Sequence, residues 1–420
     1  MNDRIDPISS LDQPGLAVMA REYLLCGHLI DRAAMGYLIG PWGRDGMRDI
    51  AIDEWMGASP VYTNRMQRLL GFDGDDVATI FKGMQFDIGA PHEFLDFRFT
   101  VHDADHGDFR LEHCGALMDV EPMGEEFVLA MCHDIEDPTF DATACATNPR
   151  ARMRPVHRPP RQPADRHPHC AWTVVIDHGA EPIAEAEVTA LMRTTRAADV
   201  PIAEIVDDGS GALANYSGEL IDPIRMEDFT AGALVAVIDE VCLQQHLLAM
   251  SFMQAVERRH GPEAAAEMGD HQLTGIAGIT AERLRAALGL GTDSSSMATV
   301  FELHPALRPA TYVDARVESG ADEVTVSLHE CAATSEDGHN SWIGLLVDGQ
   351  QRPVEAIAHA VDPTAVVQRA EPLDGAVASW SVTAGDQQRG EHPEVGVTRL
   401  STGAGFSFGA PSEVAVRLHR

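Results

Sequence analysis

The sequence predicts an α+β protein built as two tandem copies of one unit, packed on each other as an internal pseudo-dimer. Three observations carry this expectation. A shift of 218 residues places His28 on His246, Met35 on Met253, Arg65 on Arg283 and Gly71 on Gly289, then Pro91 on Pro309, Asp96 on Asp314 and Arg98 on Arg316. With short gaps the match runs on through Leu111 on Leu328, Cys114 on Cys331, Asn148-Pro149 on Asp362-Pro363 and Trp172 on Trp380. Within each copy, apolar residues change from helical to alternating spacing. A period this long indicates duplicated domains rather than a solenoid, and a fused duplicate usually keeps an ancestral two-fold interface.

In chain order, residues 1–16 form a polar leader. The first copy, 17–178, opens with an amphipathic helix over 17–38, in which Leu24, Leu25, His28, Leu29 and Ala33 recur at helical intervals. A Gly-Pro-Trp-Gly break follows at 40–43. Helices are expected over 47–56 and 62–70, the second closed by Gly71, with a short one over 75–84. Phe94–Val101 and Phe109–Leu117 alternate as half-buried strands. A helix over 124–137 is expected to stop at Pro138, followed by strands over 140–147 and 170–176. Each copy is thus a helical part followed by an antiparallel strand, strand, helix, strand, strand module. A connecting helix over 183–198 and a Gly/Asp/Ser loop fill 179–233. The second copy spans 234–384, with helices over 234–259 and 281–288 and strands from Tyr312, Val324 and near Trp380. Residues 385–420 are a Gly-rich tail, read as extra edge strands.

Composition excludes several classes. Of 420 residues, 65 are acidic against 31 basic, a formal charge of -34, and Lys82 is the only lysine. Such a surface repels nucleic acid and anionic membrane. The polar amino terminus, and the lack of any apolar run approaching membrane-spanning length, point to a cytoplasmic protein. Seven cysteines, an odd number in a long chain, favour reduced thiols over a disulfide framework. The pseudo-dimer is compatible with a further homo-oligomer.

The duplicate serves as an internal control: residues in both copies are architecture, and residues in one copy are candidates for chemistry. Five of the seven cysteines lie in the first copy. Cys132 and His133 sit near the end of an expected helix, where four-residue spacing pairs Cys132 with Glu136 and His133 with Asp137. Cys114, Cys145 and Cys170 lie on expected strands. Thiolate, imidazole and carboxylate are ligands that zinc prefers, while buried cysteines serving as small apolar core residues give the competing reading. Cys132 and His133 have no counterpart in the second copy, Cys145 falls on His359, and Cys170 falls on Ala378. A loop over 150–169 carries six arginines and three histidines against one acid, Asp165. Guanidinium groups grip carboxylate or phosphate through paired hydrogen bonds, so Arg152, Arg154, His157, Arg158 and Arg161 are expected to hold a small anionic molecule. Asp96/Arg98 and Asp314/Arg316 read as structural ion pairs. His28 and His246 read as satisfied core histidines, and His102 and His106 as solvated turn residues. A phosphate loop, a dinucleotide fingerprint, a nucleophile elbow and a His-Glu-x-x-His motif are all missing.

The order of Cys114, the helix ending Met-Cys132-His-Asp-Ile-Glu-Asp, Asn148-Pro149 and the strand Cys170-Ala-Trp-Thr-Val-Val-Ile resembles the L-2-amino-thiazoline-4-carboxylic acid hydrolase family. More distantly it is similar to the vinyl-reductase-like small-molecule-binding domains. The resemblance covers about 17–176 and, in degraded form, 234–384. It implies Cys114, Cys132, Glu136 and Cys170 as a site or as ligands to zinc or iron; His133 after the helix cysteine departs from the family pattern. The resulting expectation is a hydrolase acting on a C–N or C–S bond of a small carboxylate-bearing molecule. In it Cys132 is nucleophile or metal ligand, His133 base and Asp137 orienter. A cysteine near a helix C-terminus gains nothing from the helix dipole, which shifts weight toward a metal or a histidine partner. The alternatives are a non-catalytic binding or carrier protein with structural zinc, and a scaffold subunit of a partner enzyme.

Overall fold

The computed structural model describes residues 7–336, 340–372 and 375–409; the first six residues of the leader and the last eleven of the tail lie outside them. The chain forms two similar α+β halves, each with a four-stranded antiparallel sheet. Helix α1 spans Gln13–Leu70, capped by Asp12, whose carboxylate accepts from the Gly15 N–H, and ended by Gly71 at φ 67. The two helices expected after 43 are one continuous stretch, and α1 itself is broken only at Gly43, where φ is 69 and Pro41 lies two residues earlier. The second half repeats this with α8 (Ala231–His260) and α9 (Pro262–Ala287), divided at Gly261, 218 residues on, at φ 92. Both breaks need a left-handed conformation that glycine adopts without a Cβ penalty.

After α2 (Val77–Met84), strands β1 (Leu95–Val101) and β2 (His106–Cys114) pair as a hairpin. Short α3 (Gly115–Val120) and α4 (Glu125–Leu129) follow, then a π-helical turn over Ala130–Ile135 and α5 (Glu136–Cys145). Pro138 therefore does not stop a helix. It sits in the first turn of α5, where a missing N–H is tolerated, and the wide π turn precedes it. The strand expected over 140–147 is mostly this helix, with Thr139, Ala142 and Ala144 buried. The third strand is instead β3 (Ala151–His157), the first part of the arginine-rich stretch, paired with β4 (Cys170–Ile176). Sheet order is β1-β2-β4-β3.

In place of one helix over 183–198 stand the short α6 (Glu187–Met192) and α7 (Arg196–Asp199), because Thr195 caps a new helix at Ala198 N; a 3-10 turn over Met226–Asp228 precedes the second half. The second half continues with α10 (Ser294–Leu303), β5 (Ala315–Ser319), β6 (Glu323–His329), α11 (Trp342–Val347), α12 (Arg352–Val361), β7 (Val366–Ala370) and β8 (Ala376–Thr383), sheet order β5-β6-β8-β7. The described part of the tail carries α13 (Pro393–Thr398) rather than edge strands. By length and a mean hydropathy of 1.4, α8 does reach membrane-spanning character, contrary to expectation, but 89% of that window is buried inside the protein. It is a core helix.

The halves meet through α1, α8 and α9 in a reciprocal arrangement. Arg65 pairs with Glu240 at 2.7 Å, and Arg283 pairs with Glu22 at 2.7 Å. These are the same pair read from either side, since 65 and 283 differ by 218, as do 22 and 240. Gly57 lies against Ser251, and Gly275 would place a Cβ 3.0 Å from Ala33, its two-fold equivalent contact. On the local axis, residues meet their own counterparts: Trp42 stacks on His260 at 3.8 Å, and Gln272 Nε2 lies 3.5 Å from Glu54 Oε1. A large apolar core runs through both halves, anchored by the fully buried Trp172 and Trp380 at the centre of each sheet, and a smaller separate cluster, with Leu38, Ile50, Phe252 and Ala265, joins α1, α8 and α9.

Candidate functional site

The first half encloses a cavity of about 290 Å³ between the N-terminal part of α1, the sheet, and the α4–α5 segment. Its floor comes from helical spacing: His28, Asp31, Arg32 and Met35 fall on one face of α1, and Met47, Ala51 and Trp55 on one face after the Gly43 break. Leu95, Phe97, Leu111 and Met153 supply the sheet side, and Met131, Glu136 and Phe140 the far wall. Val397, Leu400 and Ser401 from the end of α13 complete it. Met123 and Leu400 line the cavity and are 50% and 83% exposed, so they mark its mouth.

Few polar groups interrupt these walls, and most are satisfied. The Arg32 guanidinium lies 3.1 Å from both Asp31 oxygens and 3.4 Å from Asp119. Trp55 donates to Asp31 at 3.4 Å, and Asp119 also accepts from Ser401, Thr402 N and the Thr402 hydroxyl. Asp87 accepts from Tyr62 at 2.7 Å and from Gly89 N at 2.6 Å; burial still pushes its carboxyl up to about 6. Two groups are not satisfied. His28 is 5% exposed, and neither ring nitrogen has a partner at hydrogen-bond distance among the described residues, the Ile88 backbone acting on it only weakly. Burial, with the Arg32 charge second, pulls its imidazole down to about 3. Glu136 keeps an unpartnered Oε2, and burial lifts its carboxyl to about 8 against the pull of Arg158.

The expected thiols gather behind this wall. Glu136 acts electrostatically on Cys114, Cys132 and Cys170, and Cys114 acts on both other thiols. Burial raises all three, Cys114 to about 12, so they are held as neutral thiols. Cys114 Sγ accepts from Leu117 N at 3.3 Å. The donor types suit zinc, and Glu136 Oε2 is buried and unpartnered, yet among the described residues no three His, Cys, Asp or Glu groups converge closely enough to hold a metal ion. None of the seven cysteines is joined in a disulfide.

His133 and Asp137 do not join Cys132. His133 Nε2 lies 2.7 Å from the Pro159 carbonyl, and Asp137 is ion-paired with Arg158. The arginines are likewise engaged away from the cavity. Arg152 donates to the carbonyls of Pro149, Ala151 and Glu181, Arg154 pairs with Asp141, and Arg161 pairs with Glu121 at 2.7 Å. Arg158 also lies over the Trp172 ring at 5.7 Å. Neither these four arginines nor His157, on the same strand as Arg152 and Arg154, line the cavity. Ion pairs do join Asp96 to Arg98 and Asp314 to Arg316, at 2.8 and 2.9 Å, as the repeat predicts.

The reading of His28 and His246 as two satisfied core histidines holds for one of them. His246 Nε2 lies 2.8 Å from the Arg308 carbonyl, whereas His28 faces the cavity unpaired. The signal was present in the repeat, but at non-cysteine positions. Asp31, Arg32, Trp55 and Asp87 stand where the second copy has Ala249, Met250, Leu273 and Pro305. No protein-family model, curated protein or solved structure matches the chain.

Proposed function

We propose that this is a small-molecule-binding protein whose ligand, a largely apolar molecule, sits in the first-half cavity. The observation that supports this most is His28, buried on a mostly apolar cavity wall with neither ring nitrogen at hydrogen-bond distance from a partner among the described residues, and with the unpartnered Glu136 Oε2 on the same wall. A buried polar group left unpaired costs about 1–3 kcal/mol, and a ligand that bonds to it offsets that cost. Apolar walls with a few convergent polar groups are the usual composition of ligand sites. The raised thiols weigh against Cys132 as a nucleophile, because the thiolate is the reactive form.

A second reading concerns the thiol cluster and is favoured by the orphaned Glu136 oxygen. Cys114, Cys132, Cys170 and Glu136, which stand too far apart to hold a metal as they lie, would have to draw together on a zinc or iron ion, giving up their protons and tying the α4–α5 segment to the sheet. Such an ion is compatible with the binding role and would steady the cavity wall.

Fluorescence titration with the polarity-sensitive dye Nile red tests the main reading. One dye per chain is expected, and Met131→Trp, which fills the cavity from its wall, should abolish binding without lowering the melting temperature by more than a few degrees. Dye binding that survives this substitution, or none in the wild type, overturns the reading. Elemental analysis of wild type beside Cys132→Ser tests the second: about one metal per chain, lost in the variant, is expected.

A further inference from the structure

The second half shows what fills the space beside its own histidine. Trp342 is fully buried against His246, ring centroids 5.6 Å apart at 62°, and its Nε1 donates to Gln272 Oε1 at 3.3 Å. Tyr312 packs on the same histidine at 5.0 Å. In the first half, Phe94 takes the place of Tyr312 at 5.6 Å from His28, and Glu54 takes the place of Gln272, with an unpartnered Oε2. The histidine there lines the open cavity instead of meeting an indole from its own half at that distance; its nearest indole, Trp55, is 6.5 Å away and tied to Asp31.

From this comparison of the two halves we infer that the ligand is a flat, uncharged heteroaromatic molecule of about bicyclic size, carrying an N–H or O–H donor. This rests on the binding role proposed above and names the class of molecule that role would take. Trp342 acts as a built-in guide to the shape and polarity that the equivalent space accepts. The walls agree, since Met35, Met47, Met131 and Met153 present thioethers, which contact aromatic rings favourably. The charges agree as well. Arg32 is the one cation on the cavity wall among the described residues, and Asp31 and Asp119 already neutralise it. An anionic ligand would meet those two acids and Asp87 without a free counter-charge. A neutral imidazole at His28 offers one donor and one acceptor, so it bonds an uncharged partner without needing a proton change.

Isothermal titration of the full chain with four probes tests this: indole, naphthalene, cyclohexylmethanol and indole-3-carboxylate. Indole should bind with one site per chain, roughly tenfold tighter than naphthalene, the factor one net hydrogen bond supplies. It should also bind tighter than the non-planar alcohol and the anion. His28→Leu should erase the difference between indole and naphthalene while naphthalene still binds, and His28→Gln should restore part of it. Met131→Trp should remove all binding. Equal affinity for naphthalene or cyclohexylmethanol, or a preference for the carboxylate, overturns the ligand class and leaves the cavity as a binding site. Failure of Nile red at this cavity overturns the binding role itself, so the two failures are separable.

Discussion

The reciprocal ion pairs between the halves make a quantitative prediction. Arg65 and Glu240 are almost wholly buried, and the guanidinium meets the carboxylate through Nε at 2.9 Å and a terminal nitrogen at 2.7 Å. Arg65 also donates to the Ala198 and Val200 carbonyls at 2.7 and 2.8 Å. The Glu240 carboxyl is nonetheless raised, because burial outweighs the pull of Arg65. Desolvation thus offsets most of the attraction, and the intact pair adds little net stability. Removing one partner is another matter, because the other charge stays buried. Glu240→Ala should therefore cost about 3–5 kcal/mol. The double variant Arg65→Met with Glu240→Leu should cost only about 2 kcal/mol, roughly one for each carbonyl that loses its donor. Urea unfolding followed by circular dichroism gives both values, and with the single variants Arg65→Met and Glu240→Leu it closes a cycle whose coupling favours the pair of changes over their sum. A cost below about 1 kcal/mol for Glu240→Ala, the range of an exposed pair, would refute the argument. Glu22→Ala tests the symmetry and should behave alike.

Two further outcomes follow from the site. The Asp87 carboxyl is raised from 3.8 to about 6, so the native state binds its proton more tightly than the unfolded chain and loses that contribution as pH climbs between those values. Asp87→Asn should gain on the wild type by about 3 kcal/mol between pH 3.5 and 7 in unfolding titrations, and a flat difference would sink the assignment. In native alkylation read by mass spectrometry, the partly exposed Cys331 and Cys145 should label before Cys132, which should react only on unfolding. Labelling of Cys132 as fast as these would restore it as a nucleophile.

The α+β class and the two-part layout were legible because identity at a fixed shift survives wherever geometry leaves no choice. Gly71 must cap with φ near 67, Trp172 and Trp380 must fill the sheet centres, and Arg98 finds Asp96 two residues away on its own strand. What local spacing hid was tertiary. Phe140–Thr147 alternates like a strand but folds as α5, because the preceding π turn delivers Pro138 to a helix start. The arginine stretch read as an open basic flap because its partners Asp141, Asp137 and Glu121 lie 13 to 40 residues away in sequence. The cavity was not legible, since it exists only where α1, the sheet and the tail residues Val397 to Ser401 converge.

The contacts on the local axis carry a further consequence. In an assembly of two separate identical chains, a residue on the axis faces itself, and any carboxylate there faces another carboxylate. Here both halves are encoded in one gene, so Glu54 faces Gln272 and Trp42 faces His260. Covalent linkage therefore releases the axis from self-complementarity and allows an acid to stand beside the cavity half alone. A substitution then falls on one side of the molecule without being imposed on the other.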